Sequence, residues 1–225
     1  MSSITEIISH GEIGAKNAGR NVVIIDVFRA VPTAIEILEQ KPSVYYMTSD
    51  ENNICSSKPD FVRIGKPFMG SNVNYDAPNS PTRISEFDLH GKSVIHRTAG
   101  CGGCLDGLVD PKNVLLCSIS NIEATRFFMD KIGGIWDIIA AGHQGKTPVE
   151  EDNLCAKALI SEYPIHHIKT NLHQLKNSES LLRFSIDSEE YPLTDVDVCL
   201  RTEQVSTVIL AMKTGDLWRL EVHNK

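Results

Sequence analysis

Asp26 and Arg29 come directly after the apolar run Val22-Val23-Ile24-Ile25. At the end of a buried strand a carboxylate can bind a hard cation, and a guanidinium can hold two phosphate oxygens at once. The same two residues also suit an acid ending a strand with an arginine paired to it. A second group is Ala141-Gly142-His143-Gln144-Gly145 followed by Glu150, Glu151 and Asp152. With Thr147 as N-cap, Pro148 at the first helical position and Glu150 as the reciprocal glutamate, Glu151 and Asp152 are left free in a first helical turn. Three carboxylates then meet where two strands end. Acids in a first turn also simply complement the helix dipole, a contribution of about 0.3–1 kcal/mol. Thr98-Ala99-Gly100-Cys101-Gly102-Gly103 and Ser120-Asn121 are turns of small and hydroxyl residues whose backbone N–H groups can cradle an oxyanion or merely cap a helix. His143 reads first as a surface residue. His166 and His167 are adjacent, so on a helix they diverge and make no metal pair.

The elements that must position these residues alternate. Strands are expected at Val22–Ile25, Val44–Met47, Phe61–Ile64, Ser93–His96, Val114–Ser118 and Trp136–Ala140. Helices are expected over Pro32–Gln40, from a capping box at Thr48–Glu51, from Ser120 to Lys131, and from Pro148 to Tyr163. Alternation of this kind predicts an α/β fold with a mainly parallel sheet and helices on both faces, ligands binding beyond the carboxyl ends of the strands. After Pro164 the texture changes to a polar helical stretch and then to short segments read as antiparallel strands: Val196–Leu200, Thr207–Met212 and Leu217–Val222, the last two joined by a turn at Lys213–Asp216. Gly70–Pro81 is the long irregular stretch, of the kind that is functional or mobile. The chain reads as one unit of residues 1–225, with two subdomains, about 1–163 and 164–225, as an option that no flexible linker marks.

Hydrophobic content of 41% is enough to bury a core. A formal charge of −7 without a basic stripe argues against nucleic acid, and no apolar run is long enough to span a bilayer. The first residues carry no secretory signal pattern and the six cysteines include no second CxxC to match Cys101 and Cys104, so a cytoplasmic protein with ordinary thiols is expected.

Ile25-Asp26-Val27-Phe28-Arg29-Ala30 resembles Ile-Asp-Val-Leu-Arg-Ala, Tyr75-Asp76-Ala77-Pro78-Asn79-Ser80-Pro81 resembles Phe-Asp-Leu-Gly-Asn-Ser-Pro, and Ser118-Ile119-Ser120-Asn121 resembles Ser-Phe-Leu-Asn. Ala141-Gly142 and Glu151-Asp152-Asn153-Leu154-Cys155-Ala156 resemble Ala-Gly and Glu-Asp-Xaa-Leu-Cys-Ala, and Asp195–Leu200 also has a counterpart. These are motifs, in the same order, of the 2-phosphosulfolactate phosphatase family, the magnesium-dependent enzymes of coenzyme M biosynthesis. The resemblance implies a three-layer α/β fold and hydrolysis of the phosphate ester of a small phosphorylated organic acid. It implies Mg2+ held by Asp26, Glu151 and Asp152, with Asp26, Arg29 and Glu151 catalytic. Arg29, Asn79, Ser80, Thr98, Gly100, Asn121 and Gly142 are then expected against the phosphate, and a homodimer is carried as an expectation. Asp26 as a phosphate-accepting nucleophile is the alternative, although Phe28 stands where the Asp-Xaa-Asp phosphatases have their second aspartate. Arg97-Thr98-Ala99-Gly100-Cys101 replaces the family's Thr-Thr-Asn-Gly-Thr, and Gly65-Lys66-Pro67 departs from its Gly-Glu-Arg-Gly-Gly. The expectation is a shifted substrate preference, with a catalytically idle binder of a phosphorylated metabolite as the reading from another class.

Overall fold

Each residue from Val22 to Ile25 is fully buried, with Val22 and Ile24 packed into one apolar cluster and Val23 and Ile25 into another. Alternate side chains of a strand point to opposite faces, so a strand apolar at every position must be covered on both sides. The computed structural model, which describes residues 5–67 and 71–223, has that arrangement. In chain order its elements are β1 (Thr5–His10), α1 (Gly11–Asn17), β2 (Asn21–Ile25), α2 (Ala30–Glu39), β3 (Val44–Thr48), α3 (Glu51–Cys55), β4 (Phe61–Ile64), α4 (Pro81–Ile84), β5 (Ser93–Arg97), α5 (Cys101–Gly107), β6 (Asn113–Cys117), α6 (Ile122–Ile132), β7 (Ile135–Ala140), α7 (Glu150–Leu159), α8 (Pro164–Leu175), α9 (Thr194–Cys199), β8 (Val208–Thr214) and β9 (Leu217–His223). Side chains of α1, α2, α4 and α5 fill the first cluster, and those of α6, α7 and α8 fill the second, giving three layers. Burying an aliphatic side chain of this size contributes about 1.5–3 kcal/mol, so the two clusters dominate the stability of the fold.

Among the described residues nine strands lie in the order β1-β7-β2-β6-β8-β9-β3-β5-β4. β1, β7, β2 and β6 are mutually parallel, and so are β3, β5 and β4. Between the two blocks sits the hairpin of β8 and β9, antiparallel to β6 on one side and to β3 on the other. Three successive antiparallel pairings, β6 to β8, β8 to β9 and β9 to β3, make the second block run opposite to the first. The loop after β5 nevertheless reaches the carboxyl ends of the first block: a Cβ added to Gly100, after β5, would lie 3.1 Å from the Gly142 carbonyl oxygen, after β7, and 3.3 Å from Asp26 Oδ2, after β2.

Several local expectations are corrected. Val196–Leu200, read as a strand from its alternation, lies largely within α9, because Asp195 and Cys199, four residues apart, share its buried face. α7 begins at Glu150 and not at Pro148. His143 and Thr147 bond each other through both backbone N–H groups, at 2.7 and 3.1 Å, and hold the chain extended through Val149, so Thr147 is no N-cap. At α3 the cap is Asp50, which accepts from Asn52 N, and not Thr48. The irregular stretch before α4 is described from Ser71 onward, Gly70 lying outside the described residues. Among those residues no helix is long and apolar enough to cross a membrane.

Candidate active site

β2 ends at Ile25, and the chain turns so that Asp26 is 6% exposed, with its Oδ1 accepting from Ala30 N at 2.9 Å. Burial pushes the Asp26 carboxyl up to about 6. The N–H groups of Ala30 and Cys101 oppose this, the charge of Glu151 adds to it, and Arg183 relieves a little. Asp152, also buried, accepts from Val27 N through Oδ1 and from Gly142 N through Oδ2, each at 2.8 Å. It therefore clamps the loop after β2 to the loop after β7. Burial, then the charges of Asp26 and Glu151, hold its carboxyl well above the usual range despite those two N–H groups. Glu151 is 1% exposed and its Oε2 accepts from Ser178 Oγ at 2.9 Å. All three carboxylates line one cavity of about 750 Å³. Among the described residues, no three or more His, Cys, Asp or Glu side chains form a ready-made metal group.

The clamp made by Asp152 has a measurable weight. Replacing Asp152 by alanine leaves two backbone N–H groups without their acceptor, at about 1–3 kcal/mol each, partly offset by relief of repulsion with Asp26 and Glu151. Asp152→Ala is expected to lower Tm by roughly 10 °C in thermal denaturation followed by circular dichroism. An unchanged Tm would mean the two loops are held otherwise.

Arg29 does not pair with Asp26. Its Nη1 donates to Asp195 Oδ2 and to the Glu190 carbonyl, both at 2.6 Å, and its guanidinium lies over the Tyr191 ring, 4.2 Å from the centroid, and near the Phe184 ring at 5.5 Å. The guanidinium and Asp195 are nearly fully buried, 5% and 0% exposed. Arg29, Thr98, Gly100 and Gly142 line the cavity as expected from the sequence, together with Asn79, whose Oδ1 is buried without a partner among the described residues. Gly142 has φ +74°, and a Cβ there would meet the Thr147 carbonyl oxygen at 2.5 Å, so the turn admits only glycine.

Two expected phosphate ligands sit elsewhere. Asn121 is fully buried behind β6: its Oδ1 accepts from Ser118 N, and its Nδ2 donates to the carbonyls of Leu116 and Thr207. The asparagine thus ties the end of β6 to the start of β8, and the loop after β6 is absent from the cavity wall. Ser80 caps α4 and donates to Asp195 Oδ1 at 2.8 Å. Both motifs are real, but their side chains hold the scaffold.

The wall also carries residues that sequence spacing did not single out: Glu12 from α1, Arg97 at the end of β5, Lys146, Arg183, Glu190 and Tyr191. Arg97 Nε donates to the Ser49 carbonyl and Nη1 to the Lys66 carbonyl. Lys66 pairs with Glu190 at 2.9 Å and donates to Tyr191 Oη at 3.1 Å. Arg183 Nη1 lies 2.9 Å from His143 Nδ1, and burial, followed by the charges of Arg183 and Lys66, lowers the pKa of that imidazole. The loop histidine is exposed, yet it faces the cavity. Three of them, Arg183, Glu190 and Tyr191, come from an irregular segment, 176–193, that has no periodic signature. The cavity is therefore a set of buried carboxylates facing a wall of guanidinium and ammonium groups, suited to an anion with a cation beside it.

A family model described as 2-phosphosulpholactate phosphatase matches residues 7–213. A Thermus thermophilus protein named "Probable 2-phosphosulfolactate phosphatase" is 28% identical over 145 residues, which span 63% of this chain and 60% of the relative. The aligned part thus covers less than two thirds of that relative's length. With the model matching nearly end to end, the chain belongs to the 2-phosphosulpholactate phosphatase family.

Proposed function

We propose that the protein is a Mg2+-dependent phosphatase that hydrolyses the phosphate ester of a small phosphorylated organic acid. The observation that carries this reading is the approach of three buried carboxylates, Asp26, Glu151 and Asp152, at the carboxyl ends of β2 and β7, opposite Arg29 and Arg183 in one cavity. Like charges buried together favour a cation. Asp152 is committed to clamping two loops through Val27 N and Gly142 N, so the donor set assigned is Glu151 with Asp26, which accepts from Ala30 and Cys101 and uses its remaining lone pairs, completed by water and substrate. Magnesium is commonly held by one or two carboxylates and phosphate oxygens in this way. When bound, the ion supplies charge neutralisation for the phosphoryl group and a more acidic water.

The residues of the chain do the rest. Arg29 holds phosphate oxygens through the edge of its guanidinium not engaged by Asp195 and Glu190. Arg183 balances charge on the side of Asp26. The buried Oδ1 of Asn79, which has no partner among the described residues, offers an acceptor to a hydroxyl or water at the site. Glu151, fixed by Ser178, and Asp26, fixed by Ala30, are kept in place before substrate arrives. Substrate preference shifted away from 2-phosphosulfolactate is the finer part of the reading, motivated by Lys66 and Ala99, which line the same cavity. Phosphate release from 2-phosphosulfolactate, phospholactate and phosphoglycerates, with magnesium and after chelation, tests it. Efficient turnover of 2-phosphosulfolactate above all rivals removes the shifted preference, and release of no phosphate from any of them removes the phosphatase.

Proton competition gives a second check. The carboxyl of Asp26 is raised from 3.8 to about 6, so its burial as a charge weakens the metal-free protein as pH climbs through that range. The loss is on the order of 2–3 kcal/mol, complete above the folded-state value and absent below the unfolded one. Mg2+ favours the ionised form, so its apparent affinity should fall roughly 10-fold between pH 7.5 and pH 5, and its stabilising effect on Tm should shrink in parallel. Calorimetric titration at the two pH values reads the first directly; equal affinities would take Asp26 out of the metal site.

A further inference from the structure

Asp195 is fully buried and does not itself line the cavity. Its Oδ2 accepts from Arg29 Nη1 at 2.6 Å, while Oδ1 accepts from Ser80 Oγ at 2.8 Å and from Thr82 N at 3.0 Å. Three donors from two separate segments therefore fix the orientation of this carboxylate. The Glu190 carbonyl accepts from the same Nη1, and the Tyr191 ring covers the face of the guanidinium. Phe184 extends that apolar cover, its ring centroid 5.8 Å from that of Tyr191 and 5.3 Å from that of Phe28.

Such a frame does more than neutralise a charge. A guanidinium bonded through one terminal nitrogen and stacked on one face has a single edge left for a ligand, and its plane is fixed before the ligand arrives. We infer that Asp195 is a positioning residue: together with Ser80 and the N-terminal backbone of α4, it sets Arg29 so that the remaining guanidinium edge meets the phosphoryl group. This rests on the phosphate-binding role proposed above for Arg29. It gives the Asn79-Ser80-Pro81 motif a second purpose, since its serine acts on the anion site through Asp195 and not by contact. It also explains why a segment read as a strand folds as α9, the helix that buries Asp195.

The test is a double-mutant cycle read by calorimetric binding of inorganic phosphate, in the presence of magnesium, to the full-length protein, with Tm measured for each variant. Arg29→Gln alone should weaken phosphate binding by about 30-fold and Asp195→Asn alone by about 10-fold, as expected for losing or misaiming a charge-assisted bidentate contact. In the Arg29→Gln background Asp195→Asn should cost less than about 2-fold, because there is no guanidinium left to aim. A merely structural role for Asp195 predicts equal losses in both backgrounds, and that result, or no loss from Asp195→Asn, overturns the inference. Unchanged phosphate affinity in Arg29→Gln overturns instead the phosphate role of Arg29 on which it rests. Should Asp195→Asn fail to fold, Ser80→Ala removes one donor to the same carboxylate while keeping its charge. It should show a smaller loss that again vanishes without Arg29, and a loss that persists there counts against positioning.

Discussion

Asp26→Asn is expected to reduce magnesium-dependent phosphate release by about 1,000-fold or more while leaving Tm within a few degrees of the parent. The two halves of that expectation come from the same burial. Asparagine keeps an oxygen for Ala30 N, so the turn after β2 retains its bond, and the repulsion with Glu151 and Asp152 is relieved. Against this, the amide nitrogen faces Cys101 N–H where a carboxylate oxygen accepted, which removes most of the stability gain. Function has no such compensation: a neutral amide is a poor ligand for a hard cation and cannot support a metal-bound water. Stopped or continuous phosphate assays beside thermal melts read both quantities. A variant retaining a tenth or more of the activity would show that Asp26 is neither metal ligand nor nucleophile.

Arg29→Ala should cost about 100- to 1,000-fold in kcat/KM, the range for loss of one fixed electrostatic stabiliser. It should also lower stability by roughly 3–5 kcal/mol, because Asp195 is then a buried charge without its partner. Arg29→Lys separates the two effects. A lysine restores a positive charge for Asp195 but not the planar fork, so stability should largely return while kcat/KM stays down by about 10- to 100-fold. Activity that recovers fully with lysine would reduce Arg29 to a counter-ion.

The sequence carries the side of the site that follows strand ends. Asp26, Gly142 and Glu151 are brought to one cavity because each lies just beyond one of the parallel strands β2 and β7 or opens the helix after it, and α/β sheets gather such positions; Thr98 and Gly100 join them from the oppositely directed block, after β5. That rule also misplaces Asn121, which follows β6 but is drawn behind the sheet to the chain entering β8. Nothing in local periodicity shows that the C-terminal hairpin inserts between two parallel blocks, since strand order is settled by long-range pairing. β1 and α1 carry no clear signal in the sequence either, although α1 delivers Glu12 to the cavity wall. The cationic wall was the least legible part. Arg183, Glu190 and Tyr191 sit in an irregular segment whose conformation depends on what it covers, through Ser178 to Glu151, Arg183 to His143, and the Glu190 carbonyl to Arg29. The alternation at Val196 and Val198 misled for the same reason: burial of Asp195 outweighs a two-residue pattern in so short a segment.

A crystal of the protein grown with magnesium and soaked with a tetrahedral phosphate analogue such as tungstate tests the central claim most directly. The account predicts a cation bonded to oxygens of Asp26 and Glu151, with the anion beside it against the guanidinium edge of Arg29 and Asp152 still holding Val27 N and Gly142 N. A cation bound away from both Asp26 and Glu151, or the anion seated out of reach of Arg29 in an otherwise unchanged cavity, would contradict it.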